Sequence, residues 1–253
     1  MKNCLWVFLF VLLYNVSGAQ VIVKKDPEIE SMIKEINADS LKANMYKLVS
    51  FGTRNTLSTQ GNATRGIGAA RRWILSRFNE YAKQSEGRLT AFIDTVTYIS
   101  DGKRVNRPIN LGNVVATLKG TDPNDHRIFI MSGHMDNMRT SVMDSVGDAP
   151  GANDDGSGTV AVMECARVMS KHKFPATIIF VTVAGEEQGL LGAYFMAKKA
   201  KKENWAIEAV LNNDIMGSNN SNETNIIENT KVRVFSEGLS VTDTGKVAMQ
   251  IRS

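Results

Sequence analysis

The apolar positions first recur at helical spacing, then alternate in strand-like runs, and finally settle into a regular exchange of strand and helix. Asp26-Pro27 is placed to cap and open a helix, and Ile29, Met32, Ile33 and Ile36 continue it as one stripe. A second helix is predicted from Ser40 to Val49, stopping near Gly52. A third is marked by Ala70, Trp73, Ile74, Phe78 and Tyr81. Ala91 to Ile99 is rich in β-branched and aromatic residues and reads as a strand. Asn113 to Leu118 and Arg127 to Met131 read as two more, parted by the turn-rich Gly120-Thr121-Asp122-Pro123-Asn124-Asp125.

Beyond these, a helix follows Gly158 to about Lys171, an apolar strand runs from Thr177 to Ala184, and another helix carries Leu190, Ala193, Tyr194 and Ala197. A short apolar run, Ala209 to Leu211, leads into Asn212-Asn213-Asp214. Strands alternating with helices imply βαβ units and a mainly parallel sheet covered on both faces. Asn219 to Asn229 is polar and reads as a surface loop, and Lys198, Lys199, Lys201 and Lys202 read as the solvated face of their helix.

Composition narrows this picture little. At 253 residues, 43% hydrophobic and 22% charged, the chain is an ordinary globular protein of about one domain. A net charge of +4 from scattered basic residues gives no case for nucleic acid. The first nineteen residues stand apart. Lys2, the apolar stretch Leu5 to Tyr14 and the small residues Ser17-Gly18-Ala19 have the layout of a secretory signal. The apolar stretch is shorter than the ~20 residues a membrane span needs. The expectation is therefore an exported protein, periplasmic or extracellular, with residues 1–19 removed and residues 20–253 forming the folded domain. No membrane attachment is expected after cleavage. Cys165 then remains without an internal disulfide partner, and its place in the stripe Val162, Cys165, Ala166, Met169 makes it a small core residue. Asn62-Ala63-Thr64 and Asn222-Glu223-Thr224 match glycosylation acceptors.

The candidate chemistry collects at strand ends. One strand runs into Ser132-Gly133-His134-Met135-Asp136, the next into Gly185-Glu186-Glu187, and the last into Asn212-Asn213-Asp214. Between the first two lies Gly151-Ala152-Asn153-Asp154-Asp155-Gly156-Ser157-Gly158, a glycine-rich loop entering a helix. Taken singly, each has a bland reading as a turn, a helix cap or a solvated pair. In open parallel sheets, however, sites form outside the carboxyl ends of the strands. Carboxylates gathered there repel one another unless cations neutralise them. One histidine among several carboxylates suits zinc or another divalent transition ion.

These motifs, His-x-Asp, Asn-Asp-Asp-Gly-Ser-Gly, Gly-Glu-Glu-x-Gly-Leu-x-Gly and Asn-x-Asp-x-x-Gly, resemble in kind and order those of the co-catalytic zinc aminopeptidases of metallopeptidase family twenty-eight. The match runs from Phe51-Gly52-Thr53-Arg54 to Asn212-Asn213-Asp214-Ile215-Met216-Gly217. The resemblance implies a three-layer α/β/α fold with a mixed, mostly parallel central sheet, two Zn2+ ions and a peptide substrate. It implies that His134 and Asp214 bind the first zinc, that Asp154 bridges both ions and that Glu187 binds the second. Asp136 would orient the His134 imidazole, and Glu186 would be the general base. It also implies a cis bond at Asp154–Asp155.

One ligand of that pattern is missing. The family completes its second zinc site with a histidine far downstream of the Asp214 position, whereas this chain has only His126, His134 and His172. His126 and His172 read as surface residues. The expectation is a chain truncated at its C-terminus. Two other readings stand beside the aminopeptidase. One is a carboxypeptidase or a glutaminyl cyclase of the same fold, and the other is a binding module that has lost catalysis.

Overall fold

The computed structural model describes residues 25–220, 226–230 and 234. The signal-like segment, the Asn222 acceptor and the last residues to Ser253 lie outside them. The described residues fall into two compact units that divide between Glu35 and Ile36. In the first, helix α1 (Pro27–Glu35) begins where expected, with the Asp26 carboxylate accepting the Glu28 N–H at 2.8 Å.

The main unit starts with α2 (Ala38–Val49), which Asn37 caps by accepting the Ser40 N–H at 2.9 Å. Then follow α3 (Gly66–Ala82), β1 (Leu89–Tyr98), β2 (Ile109–Leu118), β3 (Ile128–His134), α4 (Gly158–Met169), β4 (Thr177–Val183), α5 (Leu191–Lys202) and β5 (Ile207–Asn212). The strands form one sheet in the order β1-β2-β4-β3-β5. It is mixed: β1–β2 and β2–β4 are antiparallel, while β4–β3 and β3–β5 are parallel.

Alternation along the strands divides the core between two faces. Ile178 and Phe180 of β4 join Ile74 and Phe78 of α3 and Val162 and Met163 of α4. Ile179, Val181 and Val183 point the other way and pack with Val115, Ile130 and Met196 of α5. The sheet thus lies between helices on both sides, the three-layer arrangement expected. Cys165 packs against the larger core, and burial raises its thiol pKa, aided by the neighbouring Glu164. No helix among the described residues is long and apolar enough to cross a membrane.

A buried ion pair anchors α4 to the start of α2. Glu164 is 2% exposed and accepts the Asn37 N–H at 2.7 Å and the Arg167 guanidinium at 2.6 and 2.9 Å. Burial alone would raise its pKa. The bonds from Arg167 and Asn37 outweigh that and hold the carboxyl below the ordinary glutamate range. A depressed folded-state pKa contributes stability that is present above the unfolded value of ~4.3 and lost as pH falls through the folded one. Denaturant unfolding between pH 7 and pH 3 should therefore show a loss of stability on the acid side that Glu164→Gln reduces. At pH 7 Glu164→Gln should cost about 1–3 kcal/mol. An identical pH profile in the variant would remove Glu164 from the account.

Candidate metal centre

Parallel pairing delivers the site residues. β3 and β4 run in register to His134 opposite Val183, and the ladder continues one bond further, from the Met135 N–H to the Val183 carbonyl at 2.9 Å. On the other side of β3, the Asn213 N–H donates to the Ser132 carbonyl at 2.8 Å, so the chain leaves β5 beside His134 with Asp214 next in line. The ends of three neighbouring strands thus open at one place.

The glycine-rich segment Ala152–Ser157 forms a wide turn into α4, with Asp154 and Asp155 out of helical geometry and a cis peptide between them. Asp155 is fully buried and faces inward. Its carboxylate accepts the His134 N–H at 2.9 Å and the Gly158 N–H at 2.8 Å. Thr159 donates its hydroxyl to the His134 carbonyl at 2.9 Å. This approach requires Gly158, because a Cβ there would sit 2.1 Å from the Asn213 carbonyl oxygen and 2.6 Å from the Asp155 carboxylate. Asp154 points outward. The loop after Asp214 is tied back to the same turn, by Met216 N–H to Ser157 Oγ and Gly217 N–H to Asn153 Oδ1, both at 2.8 Å.

Together these constraints bring His134, Asp154 and Asp214 within reach of one another. His134 Nε2 lies 3.1 Å from an Asp154 oxygen and 3.7 Å from an Asp214 oxygen, and one ligand atom from each residue falls within 4.8 Å of the other two. His134 is 3% exposed, while both carboxylates are open to solvent. One imidazole nitrogen and two carboxylate oxygens are a donor set that suits Zn2+.

Glu186 and Glu187 sit at the end of β4, outside that trio. Their N–H groups both donate to the Asp136 carboxylate at 3.2 Å, and Thr56 adds its hydroxyl at 3.1 Å. Arg104, from the β1–β2 connection, donates Nε to the Glu187 carbonyl at 3.0 Å. Asp136 was expected to orient His134. Its carboxylate is 3.6 Å from His134 Nδ1, and its own backbone carbonyl lies closer, at 3.2 Å. The hydrogen bonds of its side chain go to Thr56 and the Glu186–Glu187 turn, a link the sequence did not reveal.

The electrostatics are those of a site with surplus negative charge. Burial would lower the His134 pKa, but Asp136, Asp155 and Glu186 raise it to about 10. Burial, against the pull of His134, raises Asp155 to about 7. Burial together with Asp154 and Asp136 raises Glu187 to about 7. Glu186 is raised as well, by burial and then, against His134, by Asp136 and Asp214. The three carboxyls hold their protons more tightly mainly because burial penalises their charged forms, and His134 does so because carboxylates surround it.

A family model described as Peptidase family M28 matches residues 113–245, more than half of the chain, including His134, Asp136, Asp154, Glu186, Glu187 and Asp214. The chain belongs to peptidase family M28. It is 44% identical over 214 residues to a probable zinc metalloprotease of Leptosphaeria maculans, a match covering 84% of this chain and 49% of the relative. It is 42% identical to a probable zinc metalloprotease of Pyricularia oryzae, covering 90% of this chain and 45% of the relative. The chain thus spans about half the length of the curated relatives it matches. Among solved structures it resembles the LapA aminopeptidase of Legionella pneumophila, with a TM-score of 0.61 and 26% identity over 79% of this chain and 48% of that one. The fold is also that of the Porphyromonas gingivalis glutaminyl cyclase, with a TM-score of 0.58 and 18% identity over 72% of this chain and 62% of that one.

For this M28 chain, Asp136→Asn replaces an acceptor oxygen with an NH2 group facing a backbone N–H. The metal-free protein should lose about 1–3 kcal/mol, read from its denaturant midpoint. An unchanged midpoint would mean that Asp136 does not hold the Glu186–Glu187 turn.

Proposed function

We propose that the protein is a zinc-dependent exopeptidase that removes N-terminal residues from peptides, with Glu186 as general base. The observation that carries this reading is the convergence of His134, Asp154 and Asp214 beside a turn bearing two carboxyls of raised pKa. The similarity to the LapA aminopeptidase supports the N-terminal direction of attack.

His134, Asp154 and Asp214 would hold one Zn2+, and Asp154 and Glu187 would face a second. Zinc, when bound, supplies Lewis-acid polarisation of the scissile carbonyl and makes water acidic enough to attack near neutral pH. The chain's own residues do the remaining work. Glu186 takes a proton from the attacking water and returns it to the leaving amine. Its raised pKa suits both halves of that exchange. Asp136 keeps Glu186 and Glu187 in place through their main-chain N–H groups. Export through Met1–Ala19 is part of the same proposal, and N-terminal sequencing of the secreted form should begin at Gln20.

Release of amino acids from unblocked peptides should stop on chelation and return with added zinc. Glu186→Gln should lower kcat by about 10²–10⁴-fold while zinc content stays at the wild-type level. Hydrolysis that survives chelation, or a Glu186→Gln variant with wild-type kcat, would refute the mechanism. Activity confined to N-terminally blocked peptides would instead identify a carboxypeptidase, and pyroglutamate formation a cyclase.

A further inference from the structure

Arg54 is a positive charge set in the interior. It is 1% exposed. Its guanidinium is spent on main-chain carbonyls. Nε donates to Met135 at 2.8 Å, Nη1 to Pro150 at 2.9 Å and to Leu48 at 3.2 Å, and Nη2 to Gly151 at 2.7 Å. Only a planar fork with five donors can serve so many acceptors at once. Burial lowers its pKa to about 10, with Asp136, Asp155 and Asp154 pushing the other way, so it stays charged at neutral pH.

The carbonyls it holds belong to the segments that carry the metal-site residues. Met135 lies between His134 and Asp136. The Gly151 carbonyl also accepts the Gly156 N–H at 3.0 Å, closing the turn that presents Asp154 and Asp155. A second link runs parallel to the first. The Arg54 N–H donates to Asn137 Oδ1 at 2.9 Å, and Asn137 Nδ2 donates to the Ala149 carbonyl at 2.8 Å. Residues 135–137 are thereby fastened to residues 149–151 across the long loop between them.

We propose that Arg54 is a positioning residue of the metal centre, whose guanidinium fixes the His134 segment against the Asp154 turn before a metal binds. The inference rests on the zinc reading above. It makes a prediction opposite in sign to a charge effect. A fixed positive charge near a cation site weakens cation binding by Coulomb repulsion, so neutralising Arg54 would tighten zinc if charge were all that mattered. If Arg54 sets geometry, losing the fork loosens zinc even where the charge remains.

The test uses the full chain as wild type, Arg54→Lys and Arg54→Met, each checked for folding by circular dichroism. Zinc affinity is measured by competition with a chromophoric chelator, and site geometry by the visible spectrum of the Co2+-loaded protein. Both variants should bind zinc about 10–100-fold more weakly, with altered Co2+ bands. Zinc binding that is unchanged or tighter in Arg54→Met would overturn the proposal. Should neither variant fold, amide exchange in metal-free wild type decides. The Arg54, Ala149 and Gly156 amides should already be protected, and protection that appears only after zinc is added would sink the idea. A wild-type protein that takes up no zinc would defeat the functional reading itself. Normal uptake with unaffected variants would defeat only the role of Arg54.

Discussion

Carboxylates crowded at the ends of three neighbouring strands would drive themselves apart, and the architecture around them is arranged to prevent it. Backbone N–H groups are the main device. Asp155 accepts two, from His134 and Gly158, and Asp136 accepts two more, from Glu186 and Glu187. Backbone donors hold these inward-facing carboxyls, while Asp154 and Asp214 turn outward around His134 Nε2. The pattern separates structural carboxylates from those available to a cation.

This arrangement depends on very close packing of the backbone. Gly133 and Gly158 let β3 and the start of α4 approach to a distance that no side chain would permit, since a Cβ on Gly133 would meet the Gly158 backbone at 2.8 Å. The parallel register then carries that precision to both neighbouring strands. Arg54 works from the opposite side of the same loops, where a lysine could not reach all four carbonyls. Membership of peptidase family M28 gives a chemical reason for tolerating so much buried polarity in one place.

Much of this was legible in the sequence. Periodicity places the helices and strands, strand ends and one glycine-rich loop mark where the acidic residues collect, and the family resemblance singles out His134, Asp154 and Asp214 among them. Strand ends were harder to read. β2 begins at Ile109 because it pairs with β1 along its whole length, Leu89 with Leu118 through Tyr98 with Ile109, whereas its first residues show no apolar run. β3 continues to His134 because pairing with β4 extends past the last apolar side chain. The sequence assigns Asp155 no task, and only its burial and its bonds from the His134 and Gly158 N–H groups reveal one. The grip of Asp136 on the Glu186–Glu187 turn and the reach of Arg54 to Gly151 join residues 50 and 97 positions apart, distances at which a single sequence carries no signal.

We propose that the folded chain presents a zinc site built on His134, Asp154 and Asp214. The most direct test is metal content after dialysis against zinc and then against metal-free buffer, measured for the wild type and for His134→Ala and Asp214→Asn. The wild type should retain zinc near or above one ion per chain and unfold at a higher temperature than its metal-free form, and both variants should lose the metal. A wild type that retains no zinc and shows no shift in its unfolding temperature would contradict the account.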